Sequence, residues 1–270
     1  MDFQGKLSRI VSKNNSLVCV GLDVDRSKMP NFLFDSSDDA VFNFNREIID
    51  STCDLVCAYK LNMAFYEVFG RYGFDVLERT IDYIPDDIVV ILDGKRNDIG
   101  NTAKKYAVSL FETLKADAVT VNPYMGLDSV KPFLDYNDKC CFALCRTSNA
   151  SAVDFQDLLC YGKPLYEHVA VKIKQWGTFG CCGAVVGATY PDELKVIRGI
   201  LGDNSPLLIP GVGKQGGDVE KTVRYGLNSK GEMALINSSR GIIYASSDKD
   251  FAKSAGIEAL RLRDLINMYR

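Results

Sequence analysis

One histidine and one tryptophan among 270 residues set the first limits. His168 falls in a helical stretch away from any strand end, so it reads as a core or surface residue. Imidazole acid–base chemistry, including a Ser-His-Asp triad, then has no residue to run on. Trp176, in the same stretch, reads as core. An excess of one charge is missing too: 32 Lys+Arg against 35 Asp+Glu leave a net charge of −3. That argues against a general nucleic-acid binder, and no charge run forms a binding tail. Long hydrophobic runs are absent; residues 88–92 and 140–145 are far too short to span a bilayer. The opening MDFQGKLSRIVSKNNS scatters its hydrophobic residues, unlike a signal peptide. The nine cysteines form no CxxC pair with a partner pair, and no cluster has metal-ligand spacing. They read as buried, reduced thiols of a cytoplasmic protein without a metal. No linker or composition shift divides the chain, so residues 1–270 read as one domain.

What is present is an ordinary globular composition, 47% hydrophobic and 25% charged, arranged as one repeated unit. After a short amphipathic opening helix, eight apolar runs read as strands: 16–23, 55–62, 88–95, 118–122, 140–147, 181–188, 206–211 and 233–239. Helical patterns follow at 38–54, 65–84, 101–114, 127–136, 165–176, 191–201, 218–225 and 250–268. Continuous apolar runs suit parallel strands covered on both faces. Eight such units in about 250 residues predict a (β/α)₈ barrel. An open doubly wound sheet is the alternative, since closure is not written in the sequence. The connections 26–37 and 149–164 read as surface loops on the active face.

The strand ends are unusually polar, and in such a barrel they would share one pocket. They carry Asp23, Lys60-Leu-Asn62, Asp93-Gly-Lys95, Asn122, Arg146-Thr-Ser-Asn149, Gly187-Ala-Thr189, Pro210-Gly-Val-Gly213 and Asn237-Ser-Ser239-Arg240. Asp93 and Lys95, two apart, share one face of a regular strand. With Lys60 from the neighbouring strand and Asp98 just beyond, two lysines and two aspartates could alternate, each holding its neighbours ionised. Blander readings exist: Asp-Gly as a turn signal, Asp98 as a helix cap, Lys60 snorkelling at the surface.

The segment 210–218, PGVGKQGGD, holds a formal GxGxxG at Gly211, Gly213 and Gly216. Only one strand follows it, too little for a dinucleotide domain. Leu208 and Gln215 break a Walker A reading. A phosphate-gripping loop fits its position after strand 7, with Arg240 placed to pair with the anion. A glycine turn capped by Asp218 is the plainer possibility.

Asp93-Gly-Lys95-Arg-Asn-Asp98-Ile-Gly-Asn-Thr102 resembles the D-x-K-x-x-D signature of the orotidine 5′-phosphate decarboxylase superfamily. Gly21-Leu-Asp23, Lys60-Leu-Asn62, the 120–126 run, Arg146–Asn149 (RTSN), 186–189, 210–218 and Ser239-Arg240-Gly241 follow in the order that family needs, over residues 21–241. The length and the 148–165 segment resemble its longer members. The resemblance implies a cofactor-free (β/α)₈ homodimer that converts orotidine 5′-phosphate to UMP and CO₂, the last step of de novo UMP synthesis. It implies an ionic tetrad of Lys60, Asp93, Lys95 and Asp98. Lys95 would protonate C6 and Asp93 would face the departing carboxylate. Asp23 and Lys60 would hold ribose hydroxyls, and Ser148 the pyrimidine. Pro210 and Ser239 would line the substrate site, with Gln215 and Arg240 on the phosphate. Asp98, Ile99 and Thr102 would reach into the partner's site. Rivals remain at this point: a magnesium-dependent sugar-phosphate decarboxylase or aldolase of the same superfamily, a Schiff-base aldolase using Lys60 or Lys95, and a non-catalytic phosphate binder.

Overall fold

The computed structural model describes residues 1–36, 39–212 and 218–270. Eight parallel strands close into a barrel: β1 (Val18–Gly21), β2 (Ala58–Asn62), β3 (Val89–Arg96), β4 (Ala118–Val121), β5 (Cys140–Arg146), β8 (Cys181–Val186), β9 (Leu207–Pro210) and β10 (Ala234–Ser238). The ring closes through β1 against β10, with Val18 opposite Ile236. The remaining two, β6 (Leu159–Cys160) and β7 (Lys163–Pro164), form a separate antiparallel pair. The barrel strands are buried along most of their length, as their unbroken apolar runs require. This settles the choice between closed and open sheet in favour of the barrel.

The opening helix, Phe3–Asn14, is capped by Asp2, which accepts from the Gly5 amide at 2.9 Å. It buries Phe3, Leu7, Ile10 and Val11 against the barrel. Lys6 pairs with Asp117 at 2.6 Å, and the same Asp117 oxygen accepts from the Val90 amide. That helix therefore anchors at the strands' N-terminal ends and leaves the other end open.

Three stretches differ from the sequence reading. The helix expected over 65–84 is two, Ala64–Glu67 and Gly70–Tyr83. Gly70 takes φ +60° between them, and a Cβ on Gly73 would sit 1.8 Å from the Tyr66 carbonyl oxygen. The chain bends there because two glycines allow close backbone approach. The 26–37 connection carries a 3₁₀ turn, Arg26–Lys28, and a short helix, Phe32–Ser36. The 149–164 connection carries a 3₁₀ turn, Ala150–Asp154, before β6 and β7. Tyr161 and Gly162, both at positive φ, make the two-residue turn of that hairpin.

All nine cysteines are free thiols, six of them buried. His168 is half-buried with Nε2 2.7 Å from the Cys160 carbonyl oxygen, and Trp176 is buried. No helix among the described residues is long and apolar enough to cross a membrane.

Candidate active site

A cavity of about 460 Å³ opens at the C-terminal ends of the strands. Its size suits a small ligand. The expected residues Asp23, Lys60, Asp93, Lys95, Ser148, Pro210, Ser239 and Arg240 all line it. Leu144, Val185 and Leu208 give it an apolar side, with the buried Asn237 beside them.

One side is ionic. Lys60, buried on β2, places Nζ 3.3 Å from Asp23 Oδ1 and 3.3 Å from Asp93 Oδ2. Lys95 Nζ lies 2.6 Å from Asp93 Oδ1. The charges alternate in the order Asp23, Lys60, Asp93, Lys95. Burial disfavours the Lys60 ammonium, but the two flanking carboxylates outweigh it and hold its pKa above the usual lysine value. Burial likewise works to raise the Asp93 carboxyl. The Lys60 and Lys95 ammonium groups and the Thr120 hydroxyl overcome that and lower it to about 2.

The backbone brings Asp93 and Lys95 together in an unexpected way. The pairing of β3 with β4 slips between Leu92 and Arg96, and Lys95 takes φ +46°. The two side chains meet through this irregular turn, not through the regular pleat assumed from their spacing. Thr120 on β4 braces it: its hydroxyl accepts from the Lys95 amide at 3.0 Å and donates to Asp93 Oδ1 at 2.8 Å. Sequence reasoning gave Thr120 no role. Its signal was a hydroxyl in the otherwise apolar run of β4.

Asp23 is fixed from three directions. Besides Lys60, Ser239 Oγ donates to its Oδ2 at 2.7 Å, and the Tyr244 hydroxyl donates to its carbonyl oxygen at 3.1 Å. Gly21 makes room for this: a Cβ there would lie 1.8 Å from Ser239 Oγ. Arg240 is exposed at the cavity rim and makes no ion pair with any described residue. Gln215 lies outside the described residues, as do Gly213, Lys214 and Gly216. Gly211 at the start of that segment has φ +100°, and Asp218 at its end caps the helix Val219–Gly226.

Asp98, Ile99 and Thr102 stand apart. Among the described residues Asp98 accepts only from the Ile99 amide, at 2.8 Å, and none of the three lines the cavity. Ile99 is 50% exposed, at the start of the helix Gly100–Val108.

A closed (β/α)₈ barrel with a cleft of alternating aspartates and lysines at its strand ends is the architecture of a barrel enzyme. Residues 16–255 match the Orotidine 5′-phosphate decarboxylase / HUMPS family, and the chain belongs to it. It is 50% identical to the orotidine 5′-phosphate decarboxylase of Cupriavidus metallidurans, over 100% of this chain and 99% of that one. The like-named protein of Ralstonia nicotianae is also 50% identical, over the full length of both. The Leishmania donovani OMP decarboxylase structure superposes with a TM-score of 0.86 at 36% identity, covering 100% of this chain and 98% of that one.

Proposed function

We infer that this protein decarboxylates orotidine 5′-phosphate to UMP and CO₂, the last step of de novo UMP synthesis. The observation that carries the reading is the end-to-end match, at 50% identity, to proteins named for that activity. The ionic wall gives it a mechanism. With the phosphate on Gln215 and Arg240, the ring's C6 carboxylate lies beside Asp93 and Lys95. The C6–carboxyl bond breaks, CO₂ leaves, and the electron pair stays on C6. The Lys95 ammonium stabilises that charge, then gives its proton to C6 and recovers one from solvent. Asp23 and Lys60 hold ribose hydroxyls, Ser148 contacts the pyrimidine, and Pro210 and Ser239 complete the wall. Phosphate contacts remote from C6 supply binding energy that assembles the site.

Lys60 counts against the magnesium-dependent alternative. Its ammonium stands between Asp23 and Asp93, where a divalent cation would need carboxylates to itself. A Schiff-base role for Lys60 fares no better, because a lysine held protonated is a poor nucleophile. The test is the ultraviolet absorbance of orotidine 5′-phosphate with purified protein, with and without EDTA. Rapid loss in both arms is expected; binding of UMP with no turnover would overturn the reading.

The active unit is a homodimer in which Asp98, Ile99 and Thr102 of each chain reach the other's cavity. The exposure of Ile99 and Thr102, with all three residues outside their own cavity, supports this. Nine free thiols fit a reducing compartment such as the cytoplasm.

A further inference from the structure

Beyond Ser148, the excursion between β5 and the helix Leu165–Trp176 has no role in the reaction proposed above, yet its residue Gln156 reaches the cavity. β5 ends at Arg146, and Thr147, Ser148 and Asn149 leave the sheet along the cavity rim. Polar backbone outside the ladder needs other partners. Gln156 provides them. Its Oε1 accepts from the Thr147 amide at 2.8 Å, and its Nε2 donates to Thr147 Oγ1 at 2.8 Å. Thr147 Oγ1 in turn donates to Asn149 Oδ1 at 2.6 Å.

The next residue grips the strand end itself. Asp157 Oδ2 accepts from the Arg146 guanidinium at 3.0 Å, and that arginine is 1% exposed. The Tyr190 ring lies 3.7 Å from the Arg146 guanidinium carbon. Across the barrel wall, the Gly187 backbone fits Ser148 so closely that a Cβ at 187 would lie 2.9 Å from Ser148 N, Cα and Cβ. Ser148 is thus held between Gly187 on one side and the clasped Thr147 on the other.

We propose that Gln156 is a positioning residue, which acts through Thr147 to hold Ser148 against the substrate's ring. The proposal rests on the Ser148 contact in the function proposed above. A glutamine amide suits the task, because it offers one acceptor and one donor to the one donor and one acceptor of Thr147. Two bonds at once fix rotation as well as distance. Misplacing a contact by about 1 Å can cost about 10²-fold in rate, so a wall residue outside regular structure benefits from such a clasp.

The test measures kcat and KM for orotidine 5′-phosphate, Kd for UMP and the melting temperature. The variants are Gln156→Ala, Thr147→Val, the pair together, and Gln156→Glu, which keeps the acceptor but not the donor. Gln156→Ala should lower kcat/KM about 10- to 100-fold and weaken UMP binding with little change in melting temperature. Gln156→Glu should recover part of the loss. Thr147→Val should add less in the Gln156→Ala background than alone, because both remove one linkage. Unchanged kinetics and UMP affinity in Gln156→Ala would overturn the proposal. So would losses that simply multiply in the double variant, which would mean direct contact with the ligand. If Gln156→Ala fails to fold, Thr147→Val decides alone, and wild-type kinetics there would refute the clasp. A wild-type protein that binds UMP without turnover would sink the proposed function and leave the UMP measurements to judge this one.

Discussion

Lys95 occupies a backbone conformation that costs a non-glycine residue free energy, and Thr120 and Asp93 hold it there. Strain maintained beside a cavity is a sign of function. Lys95→Ala should lower turnover by at least about 10³-fold, since it removes both charge stabilisation and the proton, while UMP still binds by calorimetry. Arg240→Ala should act differently. It removes a charge-assisted contact of about 1.5–3 kcal/mol and should raise KM about 10- to 100-fold, read from steady-state kinetics. Asp93 makes a prediction about acid. Its folded pKa of about 2 lies below the unfolded value, so its stabilising effect is present above about pH 4 and lost as pH falls towards 2. The loss attributable to it is about 2 kcal/mol. Urea unfolding of wild type and Asp93→Asn across that range should show a shallower acid decline in the variant.

At the scale of elements, the site depends on how closely β1 and the β10 end approach. Ser239 reaches Asp23 only because residue 21 has no side chain. Gly21→Ala should destabilise the fold by about 1–3 kcal/mol, measured by denaturant unfolding, and should weaken substrate binding by shifting Asp23. The 3₁₀ turn and the β6–β7 hairpin show a similar logic. A segment read as a plain loop is built, with a two-residue turn at Tyr161–Gly162 and the Arg146–Asp157 pair tying it to the barrel. The signals were a Tyr-Gly pair and an Asp eleven residues from an Arg, and neither stands out without the fold.

For the whole molecule, the question is where one chain's site ends. Within the chain the alternating charges run Asp23, Lys60, Asp93, Lys95, and Asp98 makes no ion pair with any described residue of the array. In the homodimer proposed above, a second copy would bring its Asp98 to this wall. Lys60→Ala and Asp98→Ala proteins, each inactive, should regain up to about a quarter of wild-type activity when unfolded and refolded together, because half the dimers are mixed and each has one intact site. Subunit exchange verified by mass with no recovered activity would place Asp98 elsewhere.

The sequence by itself determined the eightfold strand–helix repeat and the polar strand ends, because burial on both faces forces unbroken apolar runs and leaves the chemistry to the strands' exposed tips. Those are local properties, and residues 93–102 show one such polar strand end in a short motif. Tertiary structure alone decided that the sheet closes, since Val18 must find Ile236 more than two hundred residues away. It also decided the order of charges along the wall. Asp23 joined the array because β1 lies beside β2, while the slip at Leu92–Arg96 and the Thr120 brace turned Lys95 onto Asp93. Distance along the chain carries no information about such meetings. They are set by strand register and by the space that glycines leave between neighbouring elements.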